Sequence, residues 1–129
     1  MADLGVRGIG ASKAQAFEAA ALALTAALAE PSAVAATTPV AIKVSAPDDE
    51  LLLVDWLNAL IYEMAVSKML FARFHVEIEG DSLKATAWGE PMDAARHHLG
   101  VEVKGATLTE VKVAEDPPGR WIAQCVIDV

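Results

Sequence analysis

A chain of 129 residues has the size of one globular domain, taken as residues 1–129, and can bury about two-thirds of its unfolded surface without help from a disulfide or a metal. Hydrophobic residues at 54% against 22% charged exclude an intrinsically disordered chain. Eighteen acidic side chains against ten basic ones give a formal net charge of −8. That excess argues against tight direct binding of nucleic acid, which depends on Lys and Arg displacing counterions. One cysteine, Cys125, rules out an intramolecular disulfide and agrees with a reducing cytosol.

Residues 4–9 read as a short strand with Leu4, Val6 and Ile9 inward. Ser12 followed three residues later by Gln15 fits a capping box and opens a helix over 12–30, which stops before Pro31. The apolar stretch 19–29 looks like a signal-peptide core ending in Ala27-Leu28-Ala29. Lys13, Gln15 and Glu18 ahead of it, and the helical spacing of Phe17, Ala20, Leu24 and Leu28, favour an ordinary amphipathic helix. No apolar run approaches the ~18 residues of a membrane span, so a cytosolic protein is expected.

Residues 31–39 form a small-residue connection, and 40–46 alternate as a strand with Val40, Ile42 and Val44 on one face. Pro47, Asp48 and Asp49 open a second helix over 49–67, where acidic residues suit the helix dipole. Its wide apolar surface, from Leu51 to Met64, predicts burial on more than one side. The second half is strand: 72–79, a Gly80-Asp81 turn, 82–89, a loop at 90–100, then 101–113, an Asp116–Gly119 turn and 120–129. The predicted fold is α+β, a two-layer sandwich with two helices packed on a mainly antiparallel or mixed sheet.

Phosphate-loop, paired-cysteine zinc and nucleophile-elbow patterns are absent, and Gly5, Gly8 and Gly10 lack the strand a dinucleotide fingerprint needs. Chemistry must therefore come from carboxylates, histidines and lysines. Glu90, Asp93, His97 and His98 form one cluster. On a helical turn Asp93 and His97 share a face, and with His98 could serve a metal-dependent phosphoester hydrolase; otherwise they are a solvated loop closing the sheet. Asp128 projects opposite the face carrying Trp121, Ala123, Cys125, Ile127 and Val129, beside Gln124. If the chain ends at Val129, terminal oxygens lie beside it and the group could attract a hard cation; otherwise Asp128 is a solvated acidic terminus. Asp55 interrupts an apolar helix, where a structural or solvent-facing role is expected. Cys125 is expected to be packed, and Lys104 with Glu102 to be a surface ion-pair residue.

Several segments, in order along the chain, resemble the archease family. Asp3-Leu4-Gly5-Val6-Arg7-Gly8 looks like the stretch at its His-Thr-Ala-Asp motif. Leu52 to Asn58 looks like its helix motif, and Phe71-Ala72-Arg73-Phe74 like the strand entry behind it. Gly89 to Asp93, Glu102 to Thr107 and Ile127-Asp128-Val129 complete the likeness. The resemblance implies an α/β sandwich and a non-catalytic activator of the RNA-splicing ligase RtcB, set against the hydrolase reading above and a generic binding module or small chaperone with an inert terminus. That ligase joins RNA 3′-phosphate ends to 5′-hydroxyl ends with GTP and manganese, in tRNA splicing and RNA repair.

By the same resemblance, Asp3 and Asp128 hold a divalent metal, Ca2+, with oxygens of Val129, and Lys104 is needed for activation. The implied partner is the ligase, with no membrane, and the protein itself is a monomer or weak oligomer. Two departures stand out: Met1 and Ala2 occupy the place before Asp3 where the family has a His-Thr pair, and Thr107-Leu108-Thr109 replaces a Thr-Tyr-His run.

Overall fold

The computed structural model describes residues 3–97, 99–100 and 102–129. Strand β1 (Leu4–Gly10) leads into helix α1 (Lys13–Leu28), a short 3₁₀ turn (Pro31–Ala33) and strand β2 (Thr38–Ser45). Helix α2 (Asp49–Ser67) is followed by the hairpin β3 (Met69–Glu79) and β4 (Ser82–Pro91), a helical turn α3 (Ala94–His97), and strands β5 (Gly105–Ala106), β6 (Lys112–Glu115) and β7 (Trp121–Asp128). Among the described residues no helix is long and apolar enough to cross a membrane.

Both long helices begin where side chains can satisfy their free amides. The Ser12 hydroxyl accepts from the Gln15 amide at 3.1 Å, and the Gln15 side chain accepts in return from the Ala11 amide at 3.0 Å. The Asp48 carboxylate accepts from the Leu51 amide at 2.8 Å. Helix α2 spans 49–67 as its pattern predicts, and Leu52, Leu53, Trp56, Leu57 and Leu60 are fully buried. Buried between the helices, the Trp56 indole N–H donates to the Phe17 carbonyl at 3.1 Å.

The α+β sandwich stands, with every strand pairing antiparallel, but the strands divide between two sheets where the sequence suggests one. One sheet runs β1-β7-β5 with β6 also on β7, and the other runs β2-β4-β3. Both helices touch strands of both sheets, which is why their apolar surfaces are so wide. Helix α1 also takes up the open edge of β3. The Glu18 carboxylate accepts from the Val76 amide at 2.7 Å, and the Thr25 hydroxyl donates to the Phe71 carbonyl at 2.6 Å, beside a register shift between Phe71 and Arg73.

Three further expectations are corrected. Ile9 points outward and is 46% exposed, because alternation from Val6 places Gly8, not Ile9, on the buried face. The stretch expected as one strand over 101–113 is broken: among the described residues only Gly105–Ala106 and Lys112–Glu115 pair with β7 on that edge, and Glu110 turns the chain between them at φ 51°. Val101 lies outside the described residues. The expected loop at 90–100 is shortened by β4 reaching Pro91 and by the turn α3. Cys125 is packed as expected, 2% exposed, and burial pushes its thiol up to about 11.

Helix α1 lies close against β1 because both surfaces are stripped of bulk. A Cβ added at Gly8 would sit 2.2 Å from the Ala16 carbonyl oxygen and from the Ala20 amide nitrogen, both backbone atoms. At Gly5, on the opposite face, it would meet nothing within 4 Å. Gly8→Ala should therefore destabilise the protein by about 2 kcal/mol or more through overpacking, whereas Gly5→Ala stays within about 0.5 kcal/mol of the parent. Urea denaturation of the two variants checks this, and equal costs would contradict the close approach.

Candidate functional site

Strand β7 is the organising element of the site. Its register with β1 pairs Leu4 with Ile127 and Arg7 with Gln124, so one step beyond Leu4 brings Asp3 abreast of Asp128. Alternation puts Asp3, Gly5 and Arg7 on the outer face of the sheet, together with Gln124, Val126 and Asp128. The Arg7 guanidinium donates to the Gln124 side chain at 3.0 Å on this face. Asp3 and Asp128 are both exposed. Like charges facing one another across a strand pair repel unless a cation or solvent lies between them.

On the other edge of β7, Gly105 pairs with Asp128 and Ala106 with Ile127. The Lys104 amide donates to the Asp128 carbonyl at 2.8 Å, and the Lys104 side chain is exposed. The ladder thus gathers Asp3, Asp128 and Lys104 at one end of the four-stranded sheet, although 125 positions of sequence separate the two aspartates. Val129, next along, is buried at 8% exposure. Two carboxylates with nearby main-chain oxygens suit a hard, oxygen-seeking cation such as calcium or magnesium. Among the described residues there is no group of three or more His, Cys, Asp or Glu side chains that could hold a metal. Any cation here would therefore draw on main-chain oxygens or water for the rest of its shell.

The cluster at Glu90, Asp93 and His97 is neither a solvated loop nor an open ligand set. His97 is 2% exposed and accepts at Nδ1 from the Asp93 amide at 2.8 Å. A neutral imidazole that accepts at Nδ1 carries its proton on Nε2, and this N–H donates to Glu90 Oε2 at 3.0 Å. Neither ring nitrogen is left for a metal. The same Glu90 oxygen accepts from the Ala35 amide at 2.6 Å, while Oε1 is paired with the Arg96 guanidinium. Asp93 caps the turn α3 by accepting from the amides of Ala95 and Arg96 at 3.1 and 3.2 Å. His98 lies outside the described residues. The arrangement binds β4, α3 and the connection after α1 into one knot.

Asp55 is exposed, so its place in an apolar helix is the solvent-facing one. The residue that sequence reasoning passes over is Asn58. Its Oδ1 accepts from the Ala106 amide at 2.8 Å and its Nδ2 donates to the Ala106 carbonyl at 3.3 Å. The available signal is an amide, a poor helix former, amid the buried run Leu57, Leu60 and Ile61.

Hydrogen bonds from Arg96, the Ala35 amide and His97 hold the Glu90 carboxyl at about 2, against an ordinary value of 4.5. A carboxylate whose folded value is depressed contributes stability above its unfolded value and loses it as pH falls toward the folded one. Glu90→Gln should therefore lower the thermal midpoint most at pH 7, and the gap from the parent should close as pH falls from about 4.5 to about 2. Thermal melts across that window check this; a gap of constant width would contradict the charged network.

With this geometry in hand, relatives can be placed beside it. The full chain, residues 1–129, matches the model of the Archease protein family (MTH1598/TM1083). Protein archease of Pyrococcus abyssi is 37% identical over 132 residues, covering 99% of this chain and 93% of that one. Protein archease of Methanosarcina mazei is 35% identical over 133 residues, covering 99% and 90%. The solution structure of Methanobacterium thermoautotrophicum protein 1598 aligns with a TM-score of 0.86 at 28% identity, over 100% of this chain and 94% of that chain. A crystal structure from Thermotoga maritima, described as an archease and possible chaperone, aligns at 0.68 with 21% identity over 99% and 91%, a likeness of fold alone. Matched by the family model from end to end, and more than 30% identical to relatives across nearly their whole length, the chain belongs to the archease family.

Proposed function

We propose that this protein is a non-catalytic activator of an RtcB-type RNA-splicing ligase. It would promote guanylylation of the ligase and repeated 3′-phosphate to 5′-hydroxyl joining in tRNA splicing and RNA repair. The observation that supports the reading most is that strand pairing sets Asp3, Asp128 and Lys104 at neighbouring backbone positions at one end of the β1-β7-β5 sheet. These are the three side chains on which the family resemblance places activation, and they come from three separate parts of the chain.

Asp3 and Asp128, with main-chain oxygens of Val129, would hold a divalent cation, calcium being the expected ion. Such a cation supplies positive charge that can face a phosphate. The chain's own part is to present two carboxylates on a paired ladder and to keep Lys104 beside them through the hydrogen bond that its backbone amide donates to the Asp128 carbonyl. The charge excess of −8 suits a role exercised on a protein partner rather than on RNA alone.

The test is multiple-turnover ligation by the cognate ligase with and without this protein. Wild type should stimulate strongly. Asp3→Ala, Asp128→Ala and Lys104→Ala should each lose stimulation by about tenfold or more, at least the loss typical of residues that merely support a metal's ligands. All three side chains are exposed, so the variants should keep the parent's melting behaviour. A wild type that does not stimulate, or variants that stimulate equally, would overturn the reading.

A further inference from the structure

Strand β5 is only two residues long, yet it carries Lys104 at its entry and pairs Gly105 with Asp128. A ladder that short is weak when held along one edge alone. The neighbours of Ala106, Gly105 and Thr107, face β7: Gly105 pairs with Asp128, and the Thr107 amide donates to the Val126 carbonyl at 3.0 Å. One residue before Gly105, the Lys104 amide donates to the Asp128 carbonyl at 2.8 Å. In an antiparallel pair the intervening residue turns its own amide and carbonyl away from the partner strand. Here both meet one side chain, Asn58 of α2, which accepts at 2.8 Å and donates at 3.3 Å.

A primary carboxamide offers the same acceptor and donor as a peptide group, so Asn58 stands where the next strand of the sheet would be. Aspartate keeps the acceptor and lacks the donor, and glutamine carries the amide one methylene too far. The fit is close on the other side too: a Cβ at Gly105 would lie 3.3 Å from Asn58 Oδ1. The helix on which Asn58 sits is fixed in the core by Leu57, Leu60 and Trp56, all fully buried, so the anchor is rigid.

We infer that Asn58 is a positioning residue for activation: by clamping Ala106 it holds β5 on β7, and so fixes Lys104 against the Asp3–Asp128 pair. The inference rests on the activator reading given above. Asn58 itself touches neither carboxylate nor partner in this account; it acts through Ala106.

The experiment uses the full chain, with Asn58→Ala and Asn58→Asp, and reads three quantities. Thermal melts report whether each variant is folded. Amide hydrogen exchange by NMR reports local opening at Lys104, Ala106 and Thr107, with Leu24 in α1 as the internal reference. Ligation with the cognate ligase, titrated with activator, separates maximal stimulation from the half-saturating concentration. Asn58→Ala should speed exchange at Ala106 by roughly tenfold, as loss of its hydrogen-bond partner implies, with Leu24 unchanged. Maximal stimulation should fall by a similar factor while the half-saturating concentration moves less than about twofold.

Asn58→Asp, which keeps an acceptor for the Ala106 amide, should retain more of that amide's protection and more stimulation than the alanine variant; it also serves if the latter fails to fold. Unchanged exchange at Ala106, or full stimulation by a locally loosened variant, would overturn the inference while leaving the activator reading in place. Failure of the wild type to stimulate would overturn both.

Discussion

Strand β7 is hydrogen-bonded along both of its edges, to β1 on one side and to β5 and β6 on the other, and the architecture of the candidate site follows from that fact. A strand with a free edge can slip by two residues at modest cost, but one locked on both sides fixes the register of everything paired to it. The pairings Leu4 with Ile127 and Gly105 with Asp128 therefore decide together where Asp3 and Lys104 must lie. The hydrophobic alternation of β7 reinforces the lock, since Ala123, Cys125 and Ile127 are all buried in the core, where β7 packs on α1. A slip of one residue would bury Asp128.

The helices do for two sheets what is usually done for one. Glycine in β1 and alanine in α1 bring those elements near enough for backbone to face backbone, while large side chains of α2 fill the remaining interior. Along β3 the same helix α1 replaces a missing strand with two polar side chains, Glu18 and Thr25. Asn58 of α2 plays the equivalent part at β5. Each helix thus supplies side-chain hydrogen bonds at a sheet edge, and this substitution lets two small sheets share a helical layer without strands joining them.

Much of this was legible from residue order. The boundaries of α2, the capping of both helices and the packed state of Cys125 follow from local rules of spacing and capping, because short-range chemistry decides them. The division into two sheets does not, since alternation in 38–45 and in 121–128 looks the same whichever sheet a strand joins. One long strand is expected over 101–113 because Val101, Val103, Val111 and Val113 keep a strand-like alternation in a segment that the chain turns at Glu110. The site shows the same limit. Position alone gave Asp128 and Lys104 surface roles; their convergence with Asp3 depends on pairings between opposite ends of the chain. The Glu90–His97 knot could be suspected from composition, but whether its nitrogens are free depends on an amide at Asp93 that no residue pattern reveals.

The state of Cys125 has a practical side. Thiol reagents and oxidants attack the thiolate, and a thiol that is 2% exposed and held up to about 11 offers almost none near neutrality. The native chain is thus a silent background for sulfhydryl chemistry. A cysteine introduced on the outer face of the β1-β7-β5 sheet would be the one reactive thiol, ready for a fluorophore or spin label beside the Asp3–Asp128 pair with no prior substitution in the core.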